Sequence, residues 1–192
     1  MKFIPTAVVA LATAALVVLS PANANPAVNT NYSYYAVTGA TLPQIYHAMV
    51  AKAPSAAGTL GFGVTTALPS PKMTVANCKA SGHYQIGVNV NIQLPKASGT
   101  AKLSSSESAQ WSSFVQFVKR HEEKHGAIWR SCAADFERNF NAAAPADCAA
   151  AHNRAMSLWR QMVSACMPRQ VAFDASQAPV LKSHPFMKYA SR

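Results

Sequence analysis

From Trp111 to Phe140 the apolar side chains recur at steps of three and four: Trp111, Phe114, Val115, Val118, Ile128, Trp129, Cys132, Phe136 and Phe140. That spacing collects them on one face of an α-helix and fits no strand, where faces alternate every residue. His121 and His125 fall on the same stripe. The segment therefore predicts one long amphipathic helix whose apolar face must be covered, with two imidazoles in that face. Ser104 to Ser106 offer capping hydroxyls at its start, and Ala144-Pro145-Ala146 breaks it. Asp147 then caps a second helix running through Ala151, Ala155, Leu158, Trp159, Met162 and Val163. So short a break makes the two helices antiparallel neighbours. Residues 168–192 read as an irregular tail.

Upstream the period changes. Tyr32-Ser33-Tyr34-Tyr35-Ala36-Val37 reads as an aromatic-rich strand, broken at Thr38-Gly39. Thr41 caps a short helix with Pro43 in its first turn, continuing through Ile45, Met49 and Val50. Ala53 to Gly58 is a loop, Phe62 to Leu68 a strand, Pro69-Ser70-Pro71 a turn and Met73 to Cys78 a further short strand. After Ser81-Gly82, the apolar residues Tyr84, Ile86, Val88, Val90, Ile92 and Leu94 alternate with Gln85, Gly87, Asn89, Asn91 and Gln93 until Pro95. Alternation of this kind marks a strand with one buried and one wet face. The wet face, with Asn89 and Asn91, suggests a place where an extended peptide could add by edge pairing. Strands grouped ahead of helices predict an α+β fold: a small antiparallel sheet packed against a long HExxH helix and a second, antiparallel helix.

The ends of the chain and its charge bear on location. Lys2, the apolar run Ala7 to Leu19 and the small-residue site Ala22-Asn23-Ala24 have the order of a signal peptide, residues 1–24. Residues 25–192 then form a single domain, by the usual length of domains. The apolar run is shorter than the ~18–20 residues a spanning helix needs, and no later segment is apolar enough. The expectation is a secreted or periplasmic protein with no membrane span after cleavage. Loss of Lys2 lowers the formal charge from +10 to +9. The basic residues are scattered, which suits solubility or an anionic envelope surface. Export and the lack of a binding motif argue against nucleic acid as partner. Cys78, Cys132, Cys148 and Cys166 are an even set in an exported chain, which predicts two disulfides with three pairings open. No CxxC pair exists, so a zinc ribbon is excluded.

The chemistry sits in His121-Glu122-Glu123-Lys124-His125, an HExxH sequence on the long helix. Histidines four apart lie one turn apart on one face and can point at a single ion. Zn2+ takes such nitrogen ligands, and Glu122 beside the first ligand is placed to act as general base toward an attacking water. Glu123 and Lys124 are expected to face outward. A third ligand is needed. The extension HExxHxxGxxH is absent, because Ile128 and Trp129 stand in its place. Asp135 and Glu137 lie ~15–18 Å further along the helix axis than His125. His152, on the second helix, Asp174 and His184 remain, and His184, as a tail histidine free to fold back, is the choice among them.

These residues together resemble the DUF922 family of predicted secreted zinc-dependent proteases, over most of the mature chain. Tyr34-Tyr35-Ala36-Val37-Thr38-Gly39-Ala40-Thr41 is similar to the family's tyrosine-rich strand, V-x-G-x-T and short helix. Cys78, followed by the alternating strand to Leu94-Pro95, and Trp111 ahead of HExxH are similar to further family features. Lys124 replaces the glycine of the usual HExGH, and Phe173-Asp174 matches the Y-D of a C-terminal Y-D-x-x-T-x-H-G segment whose threonine and histidine are missing. His184 lies five residues beyond the position of that histidine. If it cannot substitute, the third ligand is missing or is Asp174. The resemblance implies a zincin-like metallopeptidase acting on a peptide or protein substrate, one that could be envelope-associated. It also implies a Cys78–Cys148 disulfide, leaving Cys132 with Cys166. A straight hairpin turning near Pro145 sets Cys132 opposite Leu158, ~10 Å or more along the axis from Cys166, so that second bond asks for a bend, another pairing or free thiols. Two rival readings remain: a zinc-binding envelope protein without catalysis, and a structural protein held by disulfides.

Overall fold

The computed structural model describes residues 27–56, 59–60, 62–72, 85–98, 102–142 and 147–191. The expected signal peptide, the strand Met73 to Cys78 and the Cys78–Cys148 bond lie outside them. The described chain runs β1 (Ala27–Thr38), α1 (Leu42–Lys52), β2 (Ser55–Ala56), β3 (Thr59–Leu60), β4 (Val64–Lys72), β5 (Gln85–Ser98), α2 (Ser105–Asn141), α3 (Cys148–Ser183) and a 3-10 segment, Pro185–Ser191. The class is α+β, as expected.

The main sheet has the order β1-β5-β4 and is mixed, which corrects the antiparallel expectation. β4 runs antiparallel to β5, whereas β1 runs parallel to it, Ala27 to Thr38 matching Gly87 to Ser98. Parallel strands need a crossover of a dozen or more residues, and the chain between β1 and β5, α1 included, supplies it. β5 buries Val88, Val90, Ile92 and Leu94, so the alternation is realised. Its wet face is closed differently from expectation. Asn29 donates to Asn89 and Asn31 to Asn91 across the β1–β5 pair, and β5 is paired with β4 on its other side at both asparagines, which leaves no free edge there for a peptide.

Prolines do not stop the strands where the sequence suggests. β5 continues through Pro95, which lies past the last residue paired with β4, where one flank has no strand partner among the described residues. Pro69 and Pro71 lie within β4 rather than in a turn, and among the described residues β4 is an edge strand, where a missing N–H is tolerated.

Thr41 caps α1 by accepting from Gln44 N–H, with Pro43 in the first turn. Ser104 and Glu107 form a capping box at the start of α2, each side chain serving the other's backbone N–H. The stripe of α2 then packs on the sheet and on α3, burying Phe114, Val118, Ile128, Cys132, Phe136 and Phe140. Gly126 brings the helix close to the sheet: a Cβ there would lie 3.2 Å from Val90 Cγ1.

The expected irregular tail is largely helix. α3 passes through Pro168 and Pro179 to Ser183. Each proline removes one backbone donor, but both are exposed, where water can serve the orphaned carbonyl. The inward positions Met162, Cys166, Gln170, Phe173, Gln177 and Leu181 keep the three-and-four spacing across both prolines, and this packing holds the helix. The Cys132–Cys166 disulfide forms, with Cα atoms 6.0 Å apart. The hairpin is offset, not symmetric. Arg154 donates to the Asn139 carbonyl, so the first residues of α3 overhang the end of α2 and Cys166 slides level with Cys132.

Candidate metal centre

The face of α2 carrying His121 and His125 meets α3 about two turns beyond the disulfide. His121 Nε2 and His125 Nε2 are 3.0 Å apart. Asp174 Oδ1, reaching across from α3, lies 3.2 Å from His121 Nε2 and 2.9 Å from His125 Nε2. Among the described residues this is the group of three donor side chains that could hold a metal ion. Two imidazole nitrogens and a carboxylate oxygen crowded at such distances present lone pairs to one point, an arrangement that a shared cation satisfies. Burial, and then the neighbouring His125, push the His121 pKa down, against the pull of Asp174, and so favour the neutral imidazole that ligates metals. The residues therefore fit a divalent ion. Two histidines and a carboxylate with open positions suit zinc and also other first-row metals.

Phe173, beside the ligand Asp174, walls the pair of histidines. Its ring stacks on His121 at 4.9 Å and meets His125 edge-on at 5.1 Å. Gln170, one turn before Asp174, is 7 % exposed and touches His125 twice, Oε1 to Nδ1 at 2.6 Å and Nε2 to the backbone carbonyl at 3.3 Å.

Glu122 is 5 % exposed and turns toward β4. Thr65 Oγ1 lies 2.8 Å from its Oε2 and 3.0 Å from its backbone carbonyl. Burial raises the Glu122 pKa, opposed by the Thr65 hydrogen bond, and the carboxyl is within electrostatic reach of His125 and Asp174. Gly63, just ahead of β4, leaves the space that Glu122 fills. Glu123 points the other way, across the sheet. It is half-buried rather than free in solvent, and it accepts from Tyr32 Oη at 2.7 Å, a bond that pushes the Tyr32 pKa up to about 12. Thr65 on β4 and Tyr32 on β1 both lie level with Ile92 of β5. The two successive glutamates thus fasten α2 to opposite edges of the sheet. Lys124 is exposed, as expected.

His184, the expected third ligand, is not in the group of three. It caps α3, its Nδ1 accepts from Phe186 N–H at 3.2 Å, and its ring packs on Phe114 and Phe117. The helical path of α3 is the reason: it delivers Asp174 to the histidines and carries His184 onward to the aromatic core. His152 is exposed near the start of α3, and Asp135 pairs with Arg138 and Arg169. Gln170, Thr65 and Gly63 had no signal of their own in the sequence, and Phe173 was marked only by the resemblance of Phe173-Asp174 to the family's Y-D. Following the apolar period through Pro168 would have placed Gln170 and Asp174 four apart on an antiparallel helix, opposite the histidines four apart on α2.

No curated protein and no solved structure matches the chain. A family model does match, over residues 32–181, a span that contains Thr65, the HExxH sequence, Gln170 and Asp174 and stops short of His184. The chain belongs to DUF922, described as a bacterial protein of unknown function.

Proposed function

We propose that the chain is an exported zinc-dependent metallopeptidase that uses Glu122 as general base. The observation that carries this reading is the convergence of His121, His125 and Asp174 on one point, with the buried Glu122 carboxyl on the adjoining face of the same helix turn. A zinc ion bound there would polarise a peptide carbonyl and acidify the attacking water. His121, His125 and Asp174 would hold the ion, and the Asp174 carboxylate would offset one of its two charges. Glu122 takes the water's proton and returns it to the departing amine. Burial, which raises its pKa, eases the uptake of a proton by a group that must both accept and donate one. Thr65 holds one carboxylate oxygen, which fixes the direction in which the other is offered. The same donor set serves other metals, and Glu122 is the feature that favours hydrolysis over metal binding alone.

β4 is the strand nearest Glu122, and among the described residues it pairs only with β5. Its outer edge, ahead of Pro69, can align an extended peptide substrate by backbone hydrogen bonds. Backbone N-methylation of a cleaved peptide should then raise KM; an unchanged KM at every methylated position would remove this alignment. Export is supported by the order of residues 1–24 and by the Cys132–Cys166 bond, which is at home in an oxidising compartment.

The test is hydrolysis of a peptide library by the signal-free, zinc-loaded protein and by Glu122→Gln. Removing a general base costs on the order of 10²–10⁴-fold. The expected result is cleavage by the wild type, loss of that order in the variant, and equal zinc content in both. Equal cleavage by both proteins would overturn the assignment of Glu122. Zinc without cleavage in either would leave a non-catalytic metal protein.

A further inference from the structure

We infer that Gln170 is the positioning residue of the metal centre, fixing His125 in the tautomer that presents a lone pair at Nε2; this rests on the metal-centre reading above. The backbone carbonyl of His125 can only accept a hydrogen bond. Gln170 places one end of its amide 3.3 Å from that oxygen, so that end is the NH2. A flipped amide would set two acceptor oxygens against each other in a buried site. The other end, the amide oxygen, then lies 2.6 Å from His125 Nδ1. An amide oxygen also only accepts, so Nδ1 must carry the proton. A neutral imidazole has one N–H, and with the proton at Nδ1 the lone pair is at Nε2. That nitrogen is the one 3.0 Å from His121 Nε2 and 2.9 Å from Asp174 Oδ1.

Three features make this a built contact. Gln170 is 7 % exposed, so water competes poorly for either end of the amide. The two hydrogen bonds go to the ring and to the backbone of the same residue, so they fix rotation of the imidazole as well as its proton. Gln170 and Asp174 are one turn apart on α3, so the helix that supplies the third ligand also orients the second. The pattern is H-E-x-x-H on α2 read against Q-x-x-x-D on α3. A hydrogen bond from the outer nitrogen of a ligating histidine raises ligand basicity and removes the entropy of ring rotation from binding.

The test uses the oxidised, signal-free protein at mildly alkaline pH, with Gln170→Leu and Gln170→Glu. Leucine keeps bulk and removes both hydrogen bonds. Glutamate keeps an acceptor at Nδ1 and loses the donor to the carbonyl. Long-range proton–nitrogen NMR of the metal-free protein reads the tautomer, and competition with a chromogenic chelator reads zinc affinity. The expected results are an Nδ1–H form of His125 in wild type and Gln170→Glu, and an Nε2–H form in Gln170→Leu. Zinc affinity should fall about 10–100-fold in Gln170→Leu and stay within about threefold of wild type in Gln170→Glu. If Gln170 served only packing, the buried charge of Gln170→Glu would be the more damaging change, and that order would overturn the inference. An unchanged tautomer in Gln170→Leu would also overturn it. A wild type that holds the Nδ1–H form but takes up no zinc would sink the metal-centre reading and leave the role of Gln170 in orienting the ring supported.

Discussion

A Cβ at Gly63 would lie 2.8 Å from Glu122 Cγ, 2.8 Å from Val118 Cγ1 and 2.9 Å from Glu122 Oε1. Contacts that short force something to move, and Val118, branched and buried at 3 % exposure, has little room. Glu122 would be displaced from Thr65. Gly63→Ala is therefore expected to lower kcat at least about tenfold and to destabilise the fold by about 1–3 kcal/mol, as overpacking does. Zinc content should not change, because none of the three candidate ligands is touched. Steady-state kinetics with metal analysis and a denaturant melt check all three parts, and an unchanged kcat would show that Glu122 tolerates displacement. At this scale the sequence revealed the histidines and Glu122 by motif alone. Gly63, Thr65 and Gln170 were hidden, because each acts through a neighbour distant in sequence, and no local spacing encodes that.

At the scale of elements, the centre depends on how α3 lies along α2. His121 and His125 come from one helix, Asp174 and Gln170 from the other, and the buried Cys132–Cys166 bond ties the two within about two turns of the ligands. Replacing both cysteines by serine should cost ~2–4 kcal/mol for a bond closing a loop with a sequence separation of 34. It should also weaken zinc binding in the folded protein, since Asp174 then relies on side-chain packing to stay in reach. Chemical denaturation and zinc titration of the double variant measure both effects; equal zinc affinity in the two proteins would show that packing along Phe173 and Gln170 positions α3 without the bond. The sequence revealed α2 fully, through its stripe and caps, and the start of α3 at Asp147. The rest of α3 was lost to the ordinary expectation that proline stops a helix. Exposed prolines on a helix whose opposite face is buried escape that rule. The parallel β1–β5 pair was equally hidden, because alternation fixes which face of a strand is buried and says nothing of the direction of its neighbour.

Across the whole molecule, one long helix lies on a three-stranded mixed sheet and is braced along its other side by a second helix. The sheet side receives Glu122 at Thr65 and Glu123 at Tyr32, and the α3 side receives the two histidines. The aromatic cluster of Trp111, Phe114 and Phe186 locks the N-terminal part of α2 to the C-terminal 3-10 segment and occupies His184. The class of fold could be read from the sequence because it follows from two periodicities in succession. The third ligand could not, because it depends on a helix path. The central claim is that path and the ligand it delivers. Zinc per mole of oxidised, signal-free protein should be measured in wild type, His121→Ala, Asp174→Ala and His184→Ala. About one zinc is expected in wild type and in His184→Ala, and little in His121→Ala and Asp174→Ala. Zinc lost from His184→Ala and kept by Asp174→Ala, or no zinc in the reconstituted wild type, would contradict that claim.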